Sequence, residues 1–213
     1  MLRRFHLRGE NAVRGSLVLT RRDSHHCEDL SPVDAFGEPD RTALCPSQPK
    51  VQELLIEDCR RVGASHPWAS LELVSLGFVG RGGGFYRSIC FCAACQYGYG
   101  AAGGILENIA REGVDHPSVN TMLLWRRSVQ YGLLQQIKAV VSVPIWLRTA
   151  ASLRYTGGES SLTFEEARGL ADACTVTDPD LARLAALPRP LPIYGINLPE
   201  HEMFAGHIVA PSL

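Results

Sequence analysis

Apolar positions in this chain fall into short unbroken runs separated by stretches in which apolar residues recur every three or four positions. Leu17-Val18-Leu19-Thr20 is the first run and predicts a buried strand, preceded by a segment, residues 1–15, with no defined pattern. From Arg21 to Gln48 the chain is rich in Asp, Ser, Pro and charge without periodicity, which predicts a long loop. Loops of that length are uncommon in compact proteins and often line functional sites. Ser47 is placed to cap a helix with Pro49 in its first turn. Val51, Leu54, Leu55, Cys59 and Val62 then share one face until Gly63 ends it. Leu71 to Phe78 predicts a second strand, with Glu72, Val74 and Leu76 on one face and Leu71, Leu73 and Ser75 on the other.

The Gly- and Ala-rich stretch after Cys95 carries no element until a helix begins near Ser118, with Val119, Met122, Leu123, Val129, Leu133 and Ile137 on its apolar side. It leads into a third strand, Val140 to Leu147, interrupted by Pro144. Thr163 and Glu166 form a capping box ahead of Phe164, Ala167, Leu170 and Ala171. Cys174 to Thr177 is a fourth strand. Asp178 with Pro179 opens a short helix carrying Leu181 and Leu184, Leu191 to Ile196 is a fifth strand, and the tail from Asn197 shows no element.

Strands and helices alternate, and the strands are too apolar for a half-exposed sheet, so the fold class is α/β with a parallel sheet covered by helices. The pattern predicts one domain over residues 1–213. A complete eight-stranded barrel usually takes about 250 residues. With about five recognisable strands, a (β/α) barrel-like architecture, a shortened or partial TIM barrel, fits better than a whole one. An incomplete barrel leaves unpaired sheet edges, which favour self-association.

Composition narrows the function classes. A 46% hydrophobic content supports one substantial core. A net charge of −1 gives no electrostatic reason to expect nucleic acid or an anionic membrane as partner. Arg3, Arg4, Arg8, Arg14, Arg21 and Arg22, set against Glu10 alone, read as a solvated terminal face. No run approaches the roughly 20 apolar residues of a membrane span, and the N-terminus lacks the apolar region of a signal peptide, so the expected compartment is the cytoplasm. Gly80-Arg81-Gly82-Gly83-Gly84 is not a phosphate loop, because it lacks the Lys-Ser/Thr end and opens no helix.

The cysteines change the picture most. Seven are present, and Cys90-Phe91-Cys92-Ala93-Ala94-Cys95 packs three sulfurs into six residues, too tightly for an ordinary disulfide framework. A soft metal ion suits them. Zinc takes four tetrahedral ligands, so one must come from elsewhere in the chain. The spacing leaves that source open, and Cys27, beside His25 and His26, is one candidate. A redox role for the thiols is a further possibility.

Three stretches together, Asp34-Ala35-Phe36-Gly37 with Leu44-Cys45-Pro46-Ser47-Gln48-Pro49, then Leu71 to Phe78, then Cys90 to Cys95, resemble a group of mostly uncharacterised bacterial TIM-barrel proteins described as glycoside hydrolases. Family-42 β-galactosidases are more distantly similar, with a Cys-x-Cys-x2-Cys and an upstream cysteine holding a structural zinc. The resemblance implies a structural zinc on Cys45, Cys90, Cys92 and Cys95, and a carbohydrate as ligand or substrate.

Glycoside hydrolysis normally uses two carboxyl groups flanking the scissile bond. Glu72, a carboxylate in an apolar strand, is the candidate acid/base, and Asp178 is the only acidic residue at the end of a late strand. Against catalysis, Val74 stands where related sequences tend to carry an acid. The first strand runs out into Thr20-Arg21-Arg22-Asp23, where relatives tend to show a His-Asn-like pair. Trp125, Trp146, Arg148 and Tyr194 are candidates for a sugar-stacking groove, or for core. The alternative expectation is a truncated, non-catalytic relative with a binding or structural role only.

Overall fold

The computed structural model describes residues 5–7, 12–16, 28–67, 70–74, 78, 89–101, 103–112, 117–150, 169–177 and 193–196. Its strands are β1 (Phe5–Leu7), β2 (Ala12–Ser16), β3 (Ser70–Val74), β4 (Ile145–Ala150), β5 (Ala173–Thr177) and β6 (Ile193–Ile196). They form one six-stranded sheet in the order β1-β2-β3-β4-β5-β6. β1 is antiparallel to β2, and every later pair is parallel. The helices are α1 (Pro49–Ser65), α2 (Ala93–Ala101), α3 (Leu106–Glu112) and α4 (Pro117–Val140). The architecture is α/β. Among the described strands the sheet runs from β1 to β6 without closing, so a barrel is not established.

Leu71 and Leu73 of β3 and Ile145 and Leu147 of β4 alternate onto one face of the sheet. There they pack with Val51, Leu55 and Cys59 of α1 and Leu133, Leu134 and Ile137 of α4 in a single buried cluster. Full burial of each such aliphatic side chain contributes about 1.5–3 kcal/mol, so this layer is the main energetic reason for the fold. Glu72, one residue out of phase, belongs to the other face.

Several expectations need correction. Residues 1–15 hold β1 and most of β2, a pair too short and too polar to leave a period-two signal. The strand expected at Leu17–Thr20 lies outside the described residues. Gln48, not Ser47, occupies the N-cap of α1, with no side-chain cap bond, and Pro49 is the first helical residue. Gly63 stays inside α1, because the helix passes close to the α4–β4 connection. A Cβ there would meet Val141 and Val143 at 3.5 and 3.7 Å. The third strand begins at Ile145, after Pro144. Proline has no N–H for a ladder, and Pro144 contributes its carbonyl, which accepts the Leu71 N–H at 2.8 Å. Asp172 secures the entrance to β4 by accepting the Ile145 N–H at 2.8 Å and the Lys138 Nζ at 2.7 Å. Partial burial pushes the Asp172 carboxyl up, but the bonds from Lys138 and Ile145 outweigh it and hold the group below the usual carboxylate range.

The stretch after Cys95, expected to be irregular, forms α2 and α3. The helices expected after Thr163 and after Asp178 lie almost entirely outside the described residues. No helix among the described residues is long and apolar enough to cross a membrane.

Candidate metal centre

Cys45 lies in the connection from β2 to α1, and Cys90, Cys92 and Cys95 lie in the connection leaving β3. Since β2 and β3 are adjacent and parallel, both connections leave the same end of the sheet. The upstream connection is held by its own backbone. Asp34 Oδ1 accepts the N–H groups of Phe36 and Glu38, each at 2.9 Å, turning the chain about Gly37, which takes a left-handed φ of 83°. Val33 and Pro39 bridge across this turn. The Cys45 N–H donates to the Leu30 carbonyl at 2.9 Å, and Gln52 Nε2 donates to the Pro46 carbonyl at 2.7 Å, fixing the step into α1.

The two connections are joined where the Phe91 N–H donates to the Val33 carbonyl at 2.6 Å. Beyond it Cys92 immediately precedes α2 and Cys95 sits in its first turn. This placement aims the free N–H groups of a helix start toward sulfur, a favourable environment for thiolate.

All four sulfurs come within 4.8 Å of one another and are buried. Cys45 Sγ is 3.4 Å from Cys95 Sγ, 3.7 Å from Cys90 Sγ and 3.6 Å from Cys92 Sγ. The four are free cysteines. A tetrahedral ion with metal–sulfur bonds of about 2.3 Å separates its ligands by about 3.8 Å, so the observed edges have the size that one four-coordinate ion requires. A polynuclear iron–sulfur cluster distributes its thiolates over different irons and needs them farther apart. The donor set therefore fits a single soft ion.

Without an ion, the thiols compete for protons. Hydrogen bonds with Cys90, Cys92 and Cys95, with burial added, push the Cys45 thiol well above its ordinary range. Hydrogen bonding from Cys45, then from Cys90 and Cys95, pulls the Cys92 thiol far below its own, helped by the Cys95 backbone N–H. Four adjacent thiols cannot all ionise unless a cation shares the space. Ser47, freed from the capping role, places its Oγ 3.4 Å from Cys95 Sγ.

The cysteines anchor a second buried cluster with Phe78, Ile89, Tyr99, Leu106, Ile109, Val119 and Met122, distinct from the layer over the sheet. Tyr99 lies one turn after Cys95 and donates its hydroxyl to the Ser118 carbonyl at 2.9 Å. Trp125, partly buried, packs its ring against this cluster, 5.5 Å from Phe78 and 5.8 Å from Tyr99.

Of the predicted metal ligands, Cys45 joins the triad, while Cys27 lies outside the described residues. Glu72 is 1% exposed and engaged with its neighbours. Its rung in the sheet runs from Arg14 through Trp146 to Ala173, the first residue of β5. Thr177, the last residue of β5, is four positions further on, about 13 Å at a rise of about 3.3 Å per residue. Glu72 is two residues from Val74, the last residue of its own strand β3, while β5 runs on four residues past the same rung. Asp178 lies outside the described residues, so the pair is not brought together here.

Two buried residues escaped the sequence reading. Arg126 and Gln130 of α4 are 2% and 3% exposed. They continue the spacing of Val119, Met122, Leu133 and Ile137, so the stripe was visible as a helical face whose two middle positions are polar.

No family model matches the chain, and no curated protein matches it in sequence. Among solved structures, a β-galactosidase from Bacillus circulans sp. alkalophilus is similar at 13% identity and a TM-score of 0.48, over 79% of this chain and 30% of that one. The catalytic domain of a β-amylase from Paenibacillus polymyxa is similar at 12% identity and a TM-score of 0.49, over 80% of this chain and 61% of that one. The chain spans less than two thirds of either protein, and its distant structural neighbours are glycoside hydrolases.

Proposed function

We propose that Cys45, Cys90, Cys92 and Cys95 hold one zinc ion, and that the site is structural. The observation that carries this reading is the set of sulfur separations, 3.4 to 3.7 Å from Cys45 to the other three. Four thiolates leave no open position, so the ion would tie the connection before α1 to the one after β3 and would not activate water. Metal analysis of the purified protein should give one zinc per chain. Cys45→Ser should lose most of it, and Cys27→Ser should keep it. Retention of full zinc by Cys45→Ser would remove Cys45 from the site.

For the face that this clamp stiffens, we propose a carbohydrate as ligand in a glycoside-hydrolase-like protein. Support comes from the resemblance of the three stretches and from position, since α/β sheets bind ligands beyond the carboxyl ends of their strands. Within this reading, Glu72 as acid/base with Asp178 as partner is the catalytic version. The non-catalytic version is favoured by the last residues of β2 to β6, Ser16, Val74, Ala150, Thr177 and Ile196, none of which is acidic. A screen of aryl glycosides with the wild type beside Glu72→Gln separates the two. Equal rates are expected from the non-catalytic version, whereas a loss of about 100-fold or more in the variant would establish acid/base catalysis by Glu72.

A further inference from the structure

Arg126 is the one charged residue among the buried positions of α4, and it lies next along the stripe from Met122, which packs in the cysteine cluster. Its guanidinium carbon stands 4.7 Å from the centre of the Phe78 ring, and Phe78, 2% exposed, belongs to that same cluster. A charge held this deeply is costly unless something of opposite sign compensates it. Burial pushes the Arg126 pKa down, and Cys95, Cys90 and Cys45 act in the opposite direction. Four thiolates around a dication would carry a net charge of −2, again buried.

We propose that Arg126 is the buried counter-charge of the metal centre, a positioning residue that lowers the cost of gathering four thiolates around one dication and so raises the affinity of the site. The proposal rests on the metal reading above. It explains why α4 interrupts an apolar stripe with a guanidinium one turn beyond Met122, which packs in the cysteine cluster. The Phe78 ring face holds the guanidinium in place through a cation–π contact.

The test is zinc affinity, measured by competition with a chromophoric chelator, for the wild type, Arg126→Met and Arg126→Lys. The cobalt-substituted spectrum of each is recorded alongside. Methionine keeps most of the side-chain length without charge, and lysine keeps the charge. The Met variant should bind zinc about 10- to 100-fold more weakly, the usual range for loss of an outer-shell partner of a metal site. Its cobalt spectrum should remain that of a four-thiolate site, and the Lys variant should recover most of the affinity. Arg126→Gln replaces the Met variant if that one does not fold. Equal affinity in the wild type and the neutral variant would overturn the proposal, as would an equal loss in the Met and Lys variants, which would make shape the cause. A wild type that binds no zinc would overturn the metal reading itself, an outcome distinct from either.

Discussion

Stripping the metal with a strong chelator is expected to lower the melting temperature by more than 10 °C and to abolish the near-ultraviolet signal of Tyr99 and Trp125. The reasoning starts from α2, Ala93–Ala101. A helix of 9 residues with Gly98 and Gly100 inside it has little stability of its own, since isolated helices below about 12–15 residues are marginal and each glycine costs about 1 kcal/mol relative to alanine. Its N-terminal end is held by Cys92 and Cys95, and its inner face by Tyr99. Remove the ion and four buried thiols are left in contact, with Cys45 pushed up and Cys92 pulled down by their mutual hydrogen bonds. That arrangement relaxes most easily by separating the two connections.

Apparent zinc-binding energies in small zinc domains run to roughly 10–16 kcal/mol, against a total stability of about 5–15 kcal/mol for ordinary domains. Even a loss of about 5 kcal/mol corresponds to about 10–20 °C in a chain of this length. The layer formed by α1, α4, β3 and β4 contains no ligand of the ion and should persist. Far-ultraviolet circular dichroism should therefore fall only in part, while the aromatic signal of the second core disappears. A chelated protein that melts with the native one would show that the four cysteines carry no stabilising ion.

What the sequence made legible follows from the same division. α1, β3 and α4 bury a face in one core, so their periodicity is the direct imprint of that burial, and they lie within a few residues of where the pattern put them, as does β5. The ends were harder. Gly63 reads as a stop signal but lies inside α1, facing Val141 and Val143. β1 pairs with its near neighbour β2, and β2 is fixed in turn by β3, far along the chain, and not by its own composition. α2 was invisible for a further reason: it is organised by sulfur and by Tyr99, and its two glycines argue against a helix, while α3 is only seven residues long. The cysteine spacing announced a metal site, yet only the adjacency of β2 and β3 explains how Cys45 reaches the triad. Arg126 and Gln130 were passed over because a polar residue in an amphipathic helix is ordinarily assigned to solvent.

Gly104→Ala is expected to be the most damaging single-methyl change in the second core, at about 2–4 kcal/mol. A Cβ at this position would fall inside the Tyr99 ring, onto Cζ, Cε1 and Cε2. The ring has little freedom to yield. It is 1% exposed, lies 5.8 Å from the Trp125 ring, and is pinned by its hydroxyl to the Ser118 carbonyl at 2.9 Å. The Gly104 N–H donates to the Tyr99 carbonyl at 3.0 Å, so the backbone of residue 104 is tied to the residue it would strike. Overpacking a filled core costs about 1–3 kcal/mol, and losing the Tyr99 hydroxyl bond adds about 1 kcal/mol. Gly103→Ala, one residue earlier, meets no atom within 4 Å and has only its left-handed φ of 81° against it, a cost of about 1 kcal/mol. Displacing Tyr99 also displaces Cys95 one turn before it, so Gly104→Ala should weaken zinc binding as well as stability. Chemical denaturation of Gly104→Ala in the wild-type and Tyr99→Leu backgrounds isolates the cause. With the ring gone the added methyl has room, so the substitution should cost much less there, and an unchanged cost in both backgrounds would show that the ring contact is not what makes glycine necessary.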